Sequence, residues 1–113
     1  MNVLQAIQVE VRPYDADELD VEKALAGACK RTGTSLTAEN EYNAEQDKTI
    51  AIAALSILKR YLSLTSENES EWSHGYSKEG LEERIKALCK ENELDASEYL
   101  DKLVTLRDGS NLL

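Results

Sequence analysis

The sequence predicts an all-α fold, a compact bundle of four to five helices with a long central helix and a long polar loop. The chain has 113 residues, of which 42% are hydrophobic and 31% charged, a composition typical of one globular domain. Aromatic residues make up only 5% and Phe is absent, so we expect an aliphatic interior between packed helices. Apolar residues recur at spacings of three and four in successive segments, as amphipathic helices require.

The first predicted helix covers residues 2–11 and ends before Pro13. Its apolar residues have helical spacing: Val3, Leu4, Ile7 and Val11. The segment from Ile7 to Arg12 also alternates apolar and polar residues, which is typical of a half-buried strand. Helix and strand therefore both remain open for residues 7–12.

A second helix is predicted from Val21 to Arg31, with Asp20 as its N-cap. Lys30 and Arg31 lie at its C-terminal end, where the helix dipole favours positive charge. Gly33 and its neighbours end this helix, and residues 36–43 are polar enough to form a loop.

The longest predicted helix runs from Ala44 to about Leu64 and is apolar on two sides. One side carries Ile50, Ala54, Ile57 and Tyr61, and the other carries Ala51, Leu55, Leu58 and Leu62. A helix that is apolar on two sides is usually the most buried one, so we expect it to organise the fold.

The remainder of the chain predicts a polar loop over 64–77, a helix over 78–91 and a C-terminal helix over 95–108. Asp95 and Glu98 have the spacing of a capping box at the start of the last helix. Residues 109–113 form a short tail, and residues 1–113 are one domain because no linker or repeat divides them.

No catalytic, cofactor or metal site is predicted. His74 is the only histidine, and neither a phosphate-binding loop nor a metal-ligand spacing occurs. Cys29 and Cys89 each end an amphipathic stretch, so we interpret them as thiols of the core. A nucleophilic pair of Cys89 and His74 is the weaker alternative, since such partners meet in space rather than in sequence.

The chain is strongly acidic, with a net charge of −9. Such a charge repels the phosphate backbone of nucleic acids and anionic membranes, so we expect no sequence-specific nucleic acid binding and no membrane association. The first residues lack the basic and apolar regions of a signal peptide, and the apolar stretch from Ile50 to Leu58 is too short to cross a bilayer. We therefore expect a cytoplasmic protein.

Two apolar or aromatic features stand out as candidate protein-interaction sites. The loop carries Trp72, His74 and Tyr76 in a hydrophilic setting, and Trp and Tyr are frequent hot-spot residues of interfaces. Leu112 and Leu113 form an apolar pair at the C-terminus. The alternatives are that Trp72 or Tyr76 folds back on the helices and that the C-terminal end is frayed.

The order of elements resembles that of the small all-α phage head–tail connector (adaptor) proteins. The likeness covers residues 1–91 and includes the segment Ala51-Ile52-Ala53-Ala54-Leu55, followed by the loop sequence Ser-Glu-Trp-Ser-His-Gly-Tyr-Ser at 70–77. Residues 95–113 depart from that pattern.

The resemblance implies a structural subunit of a homo-oligomeric ring that joins portal to tail and continues the DNA channel. Its expected partners are further copies of itself, the portal and tail-completion proteins, and its expected location is the virion, assembled in the bacterial cytoplasm. The resemblance implies no enzyme activity. The alternative function is a small acidic helical adaptor or regulatory protein that binds a protein partner.

Overall fold

The computed structural model describes residues 1–67 and 78–100. It contains four α-helices, α1 (Val3–Glu10), α2 (Glu18–Thr32), α3 (Asp47–Glu67) and α4 (Lys78–Glu91), with short 3-10 helices at Ala44–Gln46 and Ala96–Glu98. The described residues contain no β-strand, and Asn2 and Glu41 form one isolated β-bridge. The predicted all-α class is confirmed.

The N-terminal segment, for which the sequence left helix and strand open, forms helix α1. Asn2 and Gln5 form a capping box, in which the Gln5 backbone N donates to Asn2 Oδ1 and the Asn2 backbone N donates to Gln5 Oε1, both at 2.9 Å. A strand would place Ile7, Val9 and Val11 on one face, whereas Ile7 and Val11 are fully buried and Val9 is 40% exposed. The helix therefore buries the residues four apart and leaves the intervening one in solvent.

Helix α2 begins three residues earlier than its sequence pattern predicted. Asp17 is the N-cap, because its Oδ1 accepts a hydrogen bond from the Asp20 backbone N at 2.9 Å. Asp20 therefore lies in the first turn and does not cap the helix. Gly33 ends α2 in the left-handed conformation, with φ at 75°, which a residue without a Cβ adopts at little cost.

Helix α3 is the central element, and α1, α2 and α4 all pack on it. Both of its predicted apolar sides are buried, with only Tyr61 partly accessible. The buried residues between 50 and 62 are Ile50, Ala51, Ile52, Ala53, Ala54, Leu55, Ile57, Leu58 and Leu62. Near the start of α3, the buried hydroxyl of Thr49 donates to Thr32 Oγ1 at 3.1 Å and so ties α3 to the end of α2.

The remaining segments close the two ends of the bundle. Residues 38–42 lie against the N-terminus, where the backbone N of Val3 donates to Asn40 O at 2.9 Å and that of Leu4 donates to Ala38 O at 3.0 Å.

Helix α4 has the predicted bounds and buries four residues against the core: Leu81, Ile85, Leu88 and Cys89. Asp95 caps the 3-10 helix at Ala96–Glu98, which is all that the described residues contain of the predicted helix over 95–108. Residues 101–113 lie outside the described residues.

An ion pair joins the two shorter helices, α1 and α4. Arg84 Nη2 lies 3.1 Å from Glu10 Oε1, and Arg84 Nε donates to the backbone O of Glu10 at 3.0 Å. Burial raises the pKa of Glu10, Arg84 opposes that rise, and the nearby charges of Glu91 and Asp47 reinforce it. The carboxylate is therefore less favourable in the folded protein than in the unfolded chain.

Truncation of a buried leucine of α3 tests its central role. Leu55 is fully buried, so we expect Leu55→Ala to lower the free energy of unfolding by about 3 kcal/mol through lost burial and a residual cavity. Leu19 is 77% exposed, so we expect Leu19→Ala to change it by less than about 0.5 kcal/mol. Urea unfolding followed by circular dichroism measures both, and equal effects would contradict the central position of α3.

The raised pKa of Glu10 predicts a pH dependence. The folded protein binds this proton more readily than the unfolded chain, so the contribution of Glu10 to stability increases as the pH falls from neutral through its raised pKa. We expect Glu10→Gln to reduce the gain in the free energy of unfolding over that range. The exposed Glu22→Gln is the matched control, and an unchanged pH profile in Glu10→Gln would contradict the assignment.

Candidate protein-interaction surface

The residues that the sequence marks as interaction sites are Trp72, His74, Tyr76, Leu112 and Leu113. All five lie outside the described residues. Helix α3 continues to Glu67, three residues beyond its predicted end, so the connection to α4 begins later than the predicted loop over 64–77.

A groove lies between α2 and α3, and we call it the α2–α3 groove. The two helices are antiparallel, because Asp20 near the start of α2 pairs with Arg60 late in α3, at 3.3 Å. The groove encloses about 210 Å³, and its lining residues are Asp20, Lys23, Ala24, Gly27, Ser56, Ile57, Arg60 and Tyr61. Small side chains on both helices leave this space open.

Gly27 contributes most directly to the opening. A Cβ placed on Gly27 would meet no other atom within 4 Å. The glycine therefore faces open space in the middle of α2, in a conformation that other residues also adopt. Ala24, one turn earlier, and Ser56 on α3 add only small side chains to the same groove.

The groove has a cationic rim, although the whole chain is acidic. Lys23 and Arg60 border it, and Arg60 pairs there with Asp20, which leaves one excess positive charge. Lys59 lines an adjoining depression on α3 of about 370 Å³ together with Ser56, Arg60, Ser63 and Leu64. Helix α3 has no acidic residue between Asp47 and Glu67, which explains the local excess of positive charge. Apolar floor atoms beneath a cationic rim suit an amphipathic segment that carries acidic residues.

The C-terminal part of the described chain closes one end of this surface. Arg31 Nη2 lies 2.9 Å from Glu98 Oε1, and Arg31 Nη1 donates to the Tyr99 hydroxyl at 3.0 Å. Lys59 Nζ donates to the backbone O of Glu98 at 3.4 Å. Tyr99 is only 4% exposed, and burial raises the pKa of its hydroxyl. The chain thus crosses from α4 to the outer face of α3 before Leu100.

An acidic surface lies at the opposite end of α3. Glu39, Glu41 and Glu45 are all exposed in the segment that precedes this helix. The Tyr42 hydroxyl donates to Asp47 Oδ1 at 2.5 Å, which holds that segment beside the first residue of α3. The acidic surface and the groove are therefore separated by roughly 15–20 Å along the helix axis.

The surroundings of the two thiols indicate that both have structural roles. Cys89 is buried on α4, and burial raises the pKa of its thiol, which makes the nucleophilic thiolate scarce at neutral pH. Cys29 Sγ accepts a hydrogen bond from the Leu36 backbone N at 3.4 Å and so holds the turn after α2. Both cysteines are free thiols; Cys89 is buried in the core as predicted, whereas Cys29 is only partly buried against it. In residues 1–67 and 78–100, no three His, Cys, Asp or Glu side chains converge as a metal site requires.

A family model described as "Family of unknown function (DUF6706)" matches residues 1–113. The chain belongs to this family. No curated protein and no solved structure matches the chain. Of the helices in the described parts of the chain, none is long and apolar enough to cross a membrane.

Sequence reasoning missed the α2–α3 groove. One signal was present, because a glycine in the interior of a helix costs stability and often marks a packing or functional need. Gly27 alone does not identify a groove, since the space also depends on the α3 residues that face it. That pairing follows from the antiparallel packing of two segments far apart in sequence.

Filling the groove at Gly27 tests its openness. We expect Gly27→Ala to raise the free energy of unfolding by about 0.5–1 kcal/mol, because alanine favours the helix and its methyl group meets no neighbour. Chemical denaturation measures the change. A loss of stability would show that the position is closely packed, and Gly33→Ala, where φ is 75°, is the control expected to destabilise.

Proposed function

We propose that this protein is a structural subunit of a phage or prophage head–tail connector ring, which joins portal to tail and continues the DNA channel. The resemblance in helix order, the long central helix and the acidic charge support this proposal. The observation that carries it is the separation of two unlike surfaces on one subunit, the cation-rimmed α2–α3 groove and the acidic surface at Glu39, Glu41 and Glu45.

A ring of identical subunits requires heterologous contacts, in which one surface of a subunit meets a different surface of its neighbour. Opposite charges favour such a contact and disfavour the pairing of two identical faces. The α2–α3 groove and the acidic surface have opposite charges and lie at different positions along α3. We propose that the groove of one subunit faces the acidic surface of the next.

The net charge of −9 suits a channel through which DNA passes. A ring of acidic subunits repels the phosphate backbone, so a duplex in transit is not retained by non-specific binding. In this proposal the protein acts as a scaffold without a catalytic step. Its partners are further copies of itself, the portal and tail-completion proteins, and it is assembled in the bacterial cytoplasm into the virion.

The solution mass is the measurement that tests the proposal. Light scattering over a concentration series, alone and with the portal protein of the same genome, should detect a ring-sized species in at least one condition. A monomer in both conditions would overturn the ring. That outcome, combined with capture of a non-phage protein at the groove, would favour the alternative of a small acidic adaptor, which the apolar floor of the groove also suits.

The charge complementarity predicts the effect of a reversal. We expect Lys23→Glu to weaken self-association or portal-dependent assembly by about tenfold, since it places an acid against the neighbour's acids. Lys86→Glu on α4 changes the net charge equally and is the matched control. Glu39→Lys combined with Lys23→Glu should restore assembly, and equal losses in Lys23→Glu and Lys86→Glu would contradict the proposed contact.

A further inference from the structure

Residues 94–100 extend from the end of α4 toward α2 and α3, and we call them the C-terminal strap. The backbone amides of residues 98–100 donate to backbone O atoms within the strap itself, those of Asp95 and Ala96, at 3.0–3.1 Å. These hydrogen bonds form a single 3-10 turn, and one such turn is too short to persist away from the bundle. The strap therefore depends on contacts with the helices for its structure.

Side chains of α2 and α3 hold the far end of the strap. Arg31 Nη2 lies 2.9 Å from Glu98 Oε1, Arg31 Nη1 donates to the Tyr99 hydroxyl at 3.0 Å, and the guanidinium carbon lies 5.8 Å from the centre of the Tyr99 ring. Lys59 Nζ adds one donation, to the backbone O of Glu98 at 3.4 Å. Arg31 is therefore the main latch of the strap, and its ion pair is exposed, because the Arg31 and Glu98 side chains are each 51% accessible.

The near end of the strap is a turn in an unfavourable conformation. Glu93 has φ at 58°, in the left-handed region that favours glycine, and it directs the chain away from α4. Between this turn and the latch, a depression of about 470 Å³ separates the strap from the helices. The residues that line it are Arg31, Thr32, Lys48, Ile52, Glu93, Leu94, Asp95 and Glu98. The strap is thus attached at its two ends and undercut between them.

The strap carries apolar side chains that pack on the core. Tyr99 is 4% exposed and belongs to the buried cluster, and Leu94, Ala96 and Leu100 are partly buried against it. Burial of these groups favours the closed strap, whereas the conformational freedom of a released segment favours the open one. A segment held by so few contacts opens at a lower free energy than the bundle unfolds.

We propose that the C-terminal strap opens as a unit about Glu93 while α1–α4 stay folded, with Arg31 as the latch that sets the population of the open state. Opening exposes Tyr99 and the other apolar side chains of the strap, so one end of the bundle switches from a polar to an apolar surface. Salt screens the exposed ion pair with Glu98, so a rise in ionic strength favours the open state. This switch is independent of the proposed ring.

Amide hydrogen exchange of the full-length protein, followed by NMR spectroscopy, tests independent opening. We expect residues 98–100 to exchange about tenfold faster than Leu55 and Leu58 in α3, whose exchange requires unfolding of the bundle. Ile7→Val in α1 lowers the stability of the whole bundle and should accelerate Leu55 and Leu58 about fivefold, while residues 98–100 keep their rate. Equal acceleration at both places would overturn independent opening.

Variants of the latch test the role of Arg31. Arg31→Ala removes all three contacts and should accelerate the exchange of residues 98–100 about tenfold. Lys30→Ala removes an equal charge from the same turn of α2 and is the matched control, expected to leave these rates unchanged. Glu98→Gln should accelerate them in the natural chain but add nothing in the Arg31→Ala background, since both changes break one contact. Unchanged rates in Arg31→Ala would overturn the latch.

Ionic strength tests the switch. Raising the salt concentration from about 0.05 to about 0.5 M should accelerate residues 98–100 about threefold in the natural chain and leave their rates unchanged in Arg31→Ala. The same salt dependence in both proteins would overturn the switch. A dependence of these rates on protein concentration would overturn opening within one chain and assign the strap to contacts between copies.

Discussion

The burial of α3 on two sides is the constraint on which the other elements depend. A helix with apolar residues over most of its circumference must be surrounded, and α1, α2 and α4 all supply apolar faces to it. The alanines at 51, 53 and 54 permit this because they add little volume between neighbouring helices. The face of α3 that remains exposed carries Ser56, Lys59 and Ser63. The α2–α3 groove exists because α1, α2 and α4 cover only part of the surface of α3.

The sequence was most informative where periodicity and end signals agreed. Helix α4 has its predicted bounds, because its apolar stripe is regular and begins and ends between polar residues. At α2 both Asp17 and Asp20 were suitable caps, and composition alone did not distinguish them. At the N-terminus the alternation of Ile7, Val9 and Val11 competed with the capping box of Asn2 and Gln5, and tertiary burial of the helical face favoured the helix.

The candidate surface was beyond sequence reasoning for a different reason. Gly27 and Ser56 are 29 residues apart in the sequence, and only the antiparallel packing of α2 and α3 brings them into one groove. Net charge also conceals local charge: the chain as a whole is strongly acidic, whereas three cations, Lys23, Lys59 and Arg60, and one acid, Asp20, line this side of the bundle. The contacts open to this protein therefore depend more on how its charges are distributed than on their sum.

The two free thiols give the protein a pair of built-in probes for local opening. Cys89 lies inside the bundle on α4, and Cys29 Sγ is engaged by the backbone of Leu36 at the turn after α2. A thiol reagent reaches the buried Cys89 when α4 separates from α3, whereas Cys29 is partly exposed and its labelling reports on the turn after α2. Comparison of their labelling rates therefore resolves the opening of the turn from that of the core without any engineered residue.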